Sequence, residues 1–492
     1  ELQRGKVAPS DYKDIALGLL FLKFITYWYD QRREEIEKET KDESEKNRNY
    51  LLNLKKNYTS EGVFFLKEDD RWSGLMNVVS SEPNLAIKID KILQQIEKDN
   101  PSLEKVLPDV FATSEVKNDN LQQLIENFDS IKTNEISKDT FGRIYEYFLK
   151  MFHKKSGEKG GEFFTPKSIV ELLVEILEPY NGIIYDPTCG SGGMFVQSFK
   201  FLDEHKINNK NTLSPYGIES RPDIWRICKM NLAMRGINSN NILGPYDCLV
   251  EHPLEDLKAN YIIANPPFRI GAWGHEKLKN DVRFAKYGVP SSGKPGGDYA
   301  FLSHMIYHLD EKNGKLGIVL DNGSMSVTGQ DKKIRQAMIE DDLIDCMITL
   351  PTNLFFTTPI AACLWFVVKN KDDKKTRMRK GETLFIHARE IFTKIDSAHN
   401  ELSIQQIQQI TDTYRSYTGQ KGYPPYKDMP GYCKVVKKED IAKKKYVLTP
   451  SAHIGLKQLK KDKEAFPEKM KRLTQEYVQL KKKSSELDEK IN

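Results

Sequence analysis

Over roughly the first 136 residues, Leu, Ile and Phe positions recur at intervals of three and four, the spacing that lines one face of a helix. The most apolar stretch, IALGLLFLKFITYWY, is interrupted by Lys23 after eight residues and carries no cleavage-site pattern. It predicts a buried helix rather than a membrane span or a signal peptide. The segment after it, RREEIEKETKDESEK, predicts a solvated, charge-laced helix or loop. From about residue 137 the pattern changes to short β-branched or apolar runs alternating with helical stretches, which predicts an α/β domain with a mainly parallel sheet. Candidate strands are 183–185, 216–218, 241–243, 261–264, 316–320, 343–350 and 363–368, seven in all. The last two are the most hydrophobic and are joined by a short loop with Pro351 and Pro359, so they are expected to form an antiparallel element at one edge of the sheet.

Beyond about residue 395 the chain turns polar, with a lysine run at 443–445. In the tail, Phe466, Met470, Leu473, Tyr477, Leu480, Leu487 and Ile491 step by three, four or seven, a heptad-like stripe with Pro467 in the first turn. Two readings stay open for it, a surface helix docked on its own domain or a helix that packs on a partner. The expected division is a helical domain over 1–136, an α/β catalytic domain over 137–395, a polar connecting region over 396–455 and a C-terminal helix over 456–492.

Length and charge add limits. A chain of 492 residues exceeds one core, and a net charge of +5 is too mild to announce a nucleic-acid partner without local patches. The six cysteines lie far apart with no Cys/His cluster at zinc spacing, which predicts a reduced, intracellular setting and no metal. The first residue is Glu1, so the natural N-terminus is expected to lie further upstream.

The candidate chemistry sits where strands end. YDPTCGSGGMF follows the first strand and places Asp186, Thr188, Gly190, Ser191, Gly192 and Gly193 in a tight loop before a helix. It lacks the lysine of a P-loop and the spacing of a dinucleotide fingerprint, and Asp186 would repel a pyrophosphate while suiting a cationic ligand. SPYGIES puts Glu219 at the end of the second strand, where an acidic residue accepts ribose hydroxyls. Asp247, in GPYDC after the third, is placed to accept from an adenine amino group. A cationic nucleoside without phosphates and with an amino-acid head is S-adenosylmethionine, and the domain is then expected to be a Rossmann-like, seven-stranded methyltransferase fold. Upstream, GGEFFTPKSIVELL supplies Glu162, Phe163, Phe164, Thr165, Pro166 and Lys167. Thr165 reads as a helix cap with Pro166 in the first turn, and the two phenylalanines as packing for the cofactor.

The fourth strand ends in Asn265-Pro266-Pro267-Phe268. An exocyclic aromatic amine is a poor nucleophile because its lone pair is delocalised. If Asn265 Oδ1 and the Pro266 carbonyl each accept one of its N–H bonds, the lone pair is turned toward an incoming methyl. The prolines hold that carbonyl in extended backbone with no competing donor, and Phe268 can stack on a base swung out of a duplex. Residues 269–297 form a long polar loop with Trp273, Lys277, Lys279, Arg283, Lys286 and Lys294, expected to meet a DNA backbone.

In this order, GGEFFTP, DPTCGSGG, Glu219, Asp247 and NPPF resemble the motif series of amino-methyltransferases. With the helical N-terminal part, IYEYFLKMF, GGDYAFLSHMI, GKLGIVLDNGSM and ITLPTNLFFTTPIAACLWFVVKN, the chain resembles the modification subunit of type I restriction-modification systems up to about residue 455. That resemblance implies methyl transfer from S-adenosylmethionine to adenine N6 in double-stranded DNA. It also implies two copies around one specificity subunit, a restriction subunit in the full complex, and a cytoplasmic location with no membrane contact. Cys189 stands where the family more often has Ala. A cytosine-N4 enzyme commonly has Ser in place of Asn265, and a protein-glutamine enzyme usually has Tyr in place of Phe268. A catalytically silent scaffold would have no need of Asn265, Phe268 and Glu219.

Overall fold

A computed structural model describes residues 9–131, 138–156, 165–207, 212–355, 360–373, 376–455 and 466–491. Helix α1 (Pro9–Glu39) is buried on nearly every side between Ile15 and Tyr29. Around it gather α2 (Glu45–Asn53), α3 (Lys56–Thr59), α4 (Trp72–Val78), α5 (Leu85–Asp99) and α6 (Asn118–Asp129). Lys23, the one charge inside the apolar stretch, is buried and answered by the carbonyls of Phe128 and Asp129 at 2.7 and 2.9 Å. A buried ammonium tolerates this site only because its protons are taken up. Helix α7 (Lys138–Ser156) closes the bundle, with Phe141 against Phe24 at 4.0 Å between ring centroids.

The bundle is not a separate body. Its core continues into Ile224, Ile227, Met230 and Met234 of α10 (Pro222–Ala233) and the residue after it, which belong to the α/β part. Polar ties reinforce the junction: Arg235 pairs with Glu146 at 2.8 Å and Lys13 with Asp223 at 3.1 Å.

After α8 (Lys167–Leu177), the sheet strands are β1 (Gly182–Asp186), β2 (Leu213–Ile218), β3 (Ile242–Leu243), β4 (Tyr261–Ala264), β5 (Lys315–Asp321), β6 (Ile344–Thr349), β7 (Ala362–Val368) and β8 (Glu382–His387). A two-stranded ribbon, β9 (Thr393–Lys394) with β10 (Asn400–Glu401), precedes β11 (Cys433–Lys437). The large sheet runs β11-β8-β6-β7-β5-β4-β1-β2-β3. All seven expected strands are present, but the sheet has nine, because β8 and β11 extend it. The β6/β7 pair is antiparallel, yet it lies inside the sheet and not at an edge. Every residue of both strands is buried, as strands covered on both faces must be. The edge is β11, whose lysines point outward, a pattern that blocks further pairing. Residues 396–455, expected as a connecting region, therefore supply a sheet strand and helix α13 (Ile404–Thr418), which packs on α8.

One face of the sheet is covered by α8, α9 (Gly193–Glu204) and α13, the other by α11 (Lys294–His308) and α12 (Gln330–Glu340). From β1 the chain winds outward through β2 and β3, then returns to β4 on the other side of β1 and winds away through β5. The crossing point between β1 and β4 is where such sheets bind ligands. Register pairs Tyr185 with Ile262, so the Gly-rich loop after β1 and Asn265 after β4 emerge side by side.

Beyond α14 (Lys438–Lys443), α15 (Phe466–Ile491) is exposed from residue 470 to 482. Met470, Leu473, Tyr477 and Leu480 are 42–66% exposed, so these four residues of the stripe are not docked on the described part of their own chain.

Candidate active site

The loop after β1 owes its shape to Gly190 and Gly192, with φ of 53° and 82° in the left-handed region. It is laced to its surroundings by main-chain bonds: Cys189 N–H to Ile218 O at 3.0 Å, and Asn231 Nδ2 to Ser191 O at 2.7 Å. Gly193 then opens α9. Asp186 is 2% exposed and accepts from Thr188 N and Oγ1 at 3.0 and 3.4 Å. Burial, with a smaller contribution from Glu219, pushes its carboxyl up to about 7. Glu219 is also buried, Oε2 accepting from Gly190 N at 3.0 Å and Oε1 from Arg221 N at 2.8 Å. Burial raises it too, against the pull of those backbone donors. Two acids this close and this dry leave the loop deficient in positive charge.

Asp247 is exposed, and its Oδ1 caps a turn by accepting from Leu249 N and Val250 N at 2.9 and 3.2 Å. It stands beyond β3 on the same edge as Asp186 and Glu219. Lys167 opens α8, is exposed, pairs with Glu171 at 3.4 Å and lines a cavity together with Thr165, Ser191 and Gly193. Glu162, Phe163 and Phe164 lie outside the described residues.

Thr165 is not the helix cap. Pro166 occupies that position without a side-chain bond, and Thr165 Oγ1 instead accepts from Asn265 Nδ2 at 3.0 Å, across 100 residues of sequence. The bond fixes which way the amide faces. Its other end, Asn265 Oδ1, is buried with no hydrogen-bond partner among the described residues. Pro266 is buried and Pro267 half-buried. Phe268 is half-buried, its ring edge-on to Phe355 at 5.7 Å and 82°.

The loop after the tetrapeptide is a compact plug. Trp273 is 1% exposed, with Nε1 on Ser291 O at 3.1 Å. Arg283, expected to face DNA, is 3% exposed and holds Asp281 through Nε and Nη2 at 2.7 Å each. It also donates to the Cys248 carbonyl and to His304 Nδ1 at 3.1 and 2.8 Å. One guanidinium thus pins the loop to the segment that begins at Asp247. Lys286 is exposed and paired with Asp341 at 2.6 Å, which lifts it to about 12. Lys277, Lys279 and Lys294 are exposed.

Beside Arg283 the fold gathers three histidines that the sequence keeps apart, His252, His304 and His308, with ligand atoms within 4.8 Å of one another. His304 is held on both nitrogens, by Arg283 and by the Tyr185 hydroxyl at 3.0 Å, and His252 meets His308 at 2.9 Å. Burial pushes His252 down to about 4 and His308 down to about 3, so the cluster is neutral. A guanidinium donating to His304 Nδ1 leaves the proton on Nε2 and places a positive charge where a cation would have to sit. The cluster is a structural network beneath β1.

A doubly wound sheet whose crossing-point strand ends in an oriented Asn-Pro-Pro-Phe, next to a glycine loop rich in carboxylates, defines a methyltransferase for exocyclic amino groups. Comparison with known proteins narrows the class. Residues 136–462 match the N-6 DNA methylase family model and residues 2–128 the HsdM N-terminal domain. The HindI methylase subunit of Haemophilus influenzae is 40% identical over 416 residues, spanning 82% of this chain and 90% of that one. The MjaIX methylase subunit of Methanocaldococcus jannaschii is 34% identical over 502 residues, 99% and 88% respectively. The type I methyltransferase subunit of Streptococcus thermophilus has the same fold, with a TM-score of 0.77 at 23% identity over 93% of this chain. The chain belongs to the N-6 DNA methylase family, among the type I restriction enzyme methylase subunits.

Two residues, Asn231 and Asp298, escaped the sequence reading, and Arg283 reads there as a DNA contact. Asn231 and Arg283 act through partners far along the chain, and Asp298 lay unmarked inside GGDYAF. Thr165→Val removes the acceptor that orients Asn265. It is expected to slow methyl transfer about 10-fold, the value of one hydrogen bond of about 1.4 kcal/mol, with cofactor affinity unchanged by calorimetry.

Proposed function

We propose that this chain transfers a methyl group from S-adenosylmethionine to adenine N6 in double-stranded DNA, the base being extruded into the site, and so protects host DNA within a type I restriction-modification complex. The observation that carries the reading is the split state of the Asn265 amide. Nδ2 is tied by Thr165, and Oδ1 is buried and accepts from no described residue. An unsatisfied buried acceptor costs roughly 1–3 kcal/mol, a cost removed when a donor arrives. An exocyclic amine supplies that donor.

The residues present suit the cofactor. Asp186 and Glu219, once ionised, are carboxylate acceptors in a loop opened by positive-φ glycines, matching an ammonium or sulfonium and a pair of ribose hydroxyls. Asp247 retains Oδ2 for an adenine amino group, since its turn uses Oδ1. When bound, the cofactor supplies the electrophilic methyl. The protein then orients the acceptor: Asn265 Oδ1 and the Pro266 carbonyl take the two N–H bonds of N6, and Phe268 offers a ring for the base. No general base is needed to activate the amine, because its lone pair is freed by geometry and the proton is lost after transfer.

The exposed stripe of α15 supports helix packing with a specificity subunit, two copies of this chain per reader, with a restriction subunit joining the full complex. Among the described residues no helix is long and apolar enough to cross a membrane.

Asn265→Ala is expected to lower methyl transfer at least about 100-fold while leaving complex assembly and cofactor affinity intact; normal transfer in that variant would sink the mechanism. Cofactor affinity is expected to rise between about pH 6 and about pH 8, because a cationic ligand binds ionised Asp186 and the free site must first lose a proton. In Asp186→Asn the calorimetric profile should be weaker and flat. Deleting residues after 465 is expected to abolish co-elution with the specificity subunit in size-exclusion chromatography, and an unchanged elution profile refutes the assignment of α15.

A further inference from the structure

Immediately after Phe268 the chain reverses at Arg269, whose φ of 54° lies in the left-handed region. For a residue with a Cβ this costs of order 1 kcal/mol, and such a conformation persists only where the surroundings hold it. The hold comes from 29 residues downstream: Asp298 Oδ1 accepts the Arg269 N–H at 2.9 Å. Asp298 is 2% exposed and sits in the N-terminal turns of α11. The residue before it explains how the helix gets so close. A Cβ on Gly297 would fall 2.4 Å from the Ile270 carbonyl oxygen, so only glycine lets α11 lie against the turn.

We propose that Asp298 is a positioning residue for the target base: by holding the Arg269 amide it sets the backbone turn that carries Phe268, the ring on which extruded adenine stacks. The inference rests on the role given to Phe268 above. It also accounts for GGDYAF, which the cofactor and the tetrapeptide leave unused.

The carboxyl titrates in a useful range. Burial is the main cause that pushes Asp298 up to about 7. Asp321 at the end of β5 and Asp331 on α12 add to the rise, while the Arg269 N–H and the Arg269 side chain oppose it. A charged acceptor makes the stronger bond to an amide. The turn therefore tightens as pH rises through this value.

The test uses the full chain assembled with its specificity subunit, and a duplex carrying 2-aminopurine at the target adenine. The target itself is found by sequencing methylated DNA from cells expressing the complex. Without cofactor, the wild type is expected to give a fluorescence rise that grows from about pH 6 to about pH 8. Asp298→Ala should lose most of that rise and show a KM for DNA raised about 10-fold, with cofactor affinity unchanged. Asp298→Asn, whose amide oxygen accepts the same N–H, should restore most of the signal and lose its pH dependence.

An alanine variant that extrudes the base like wild type overturns the proposal. So does one that loses cofactor affinity in parallel, or an asparagine variant that keeps the wild-type pH profile. A wild type that methylates without any fluorescence rise instead overturns base extrusion and the role of Phe268, and the inference falls with it.

Discussion

The site turns on one amide oxygen that no described residue satisfies. Buried amides ordinarily satisfy both their ends, yet among the described residues only Asn265 Nδ2 has a partner and Oδ1 has none. That arrangement requires Thr165 to arrive from the segment before α8, and two prolines to keep the neighbouring backbone free of competing donors. It also requires a sheet that brings the ends of β1 and β4 to the same place. The register of Tyr185 with Ile262 meets the last condition. The bare oxygen is a small standing instability, concentrated where a substrate can relieve it.

The electrostatics follow the same logic on the cofactor side. Asp186 and Glu219 are buried with backbone N–H and hydroxyl donors for company and, among the described residues, no cation in a hydrogen bond or ion pair with either. A loop built this way favours a positively charged guest over an anionic one, which separates it from the phosphate-binding glycine loops it superficially resembles. Arg283 links the two halves. Its guanidinium joins the plug after Phe268 to the carbonyl of Cys248, next to Asp247, so the loops that follow β3 and β4 share one rigid anchor.

The seven strand runs and the residues at their carboxyl ends were legible because apolar runs that stop at Asp186, Glu219 and Asn265 encode both the sheet and its chemistry in adjacent positions. β11 was not, since a short edge strand reading Cys-Lys-Val-Val-Lys looks like any polar segment. The antiparallel β6/β7 pair was misplaced at the edge, although its unbroken hydrophobicity is itself a sign of burial on both faces. Thr165 looked like a cap because its real partner is 100 residues away. Arg283 looked like a DNA contact because a lone arginine in a long polar loop carries no local mark of the carbonyls and imidazole that enclose it. Local patterns report strands and loops; the direction of a side chain is decided by what the rest of the chain puts beside it.

Helix α10 has a double allegiance. On one side Ile224, Ile227 and Met230 complete the core of the helical bundle, and on the other Asn231 grips the Ser191 carbonyl of the glycine loop, while Cys228 lies against Cys189. The amino-terminal domain is therefore not an accessory clipped onto an independent catalyst. A substitution that loosens the bundle against α10 also loosens the seat of Asn231 under the Ser191 carbonyl, so the stability of the amino-terminal part and the shape of the glycine loop are one property.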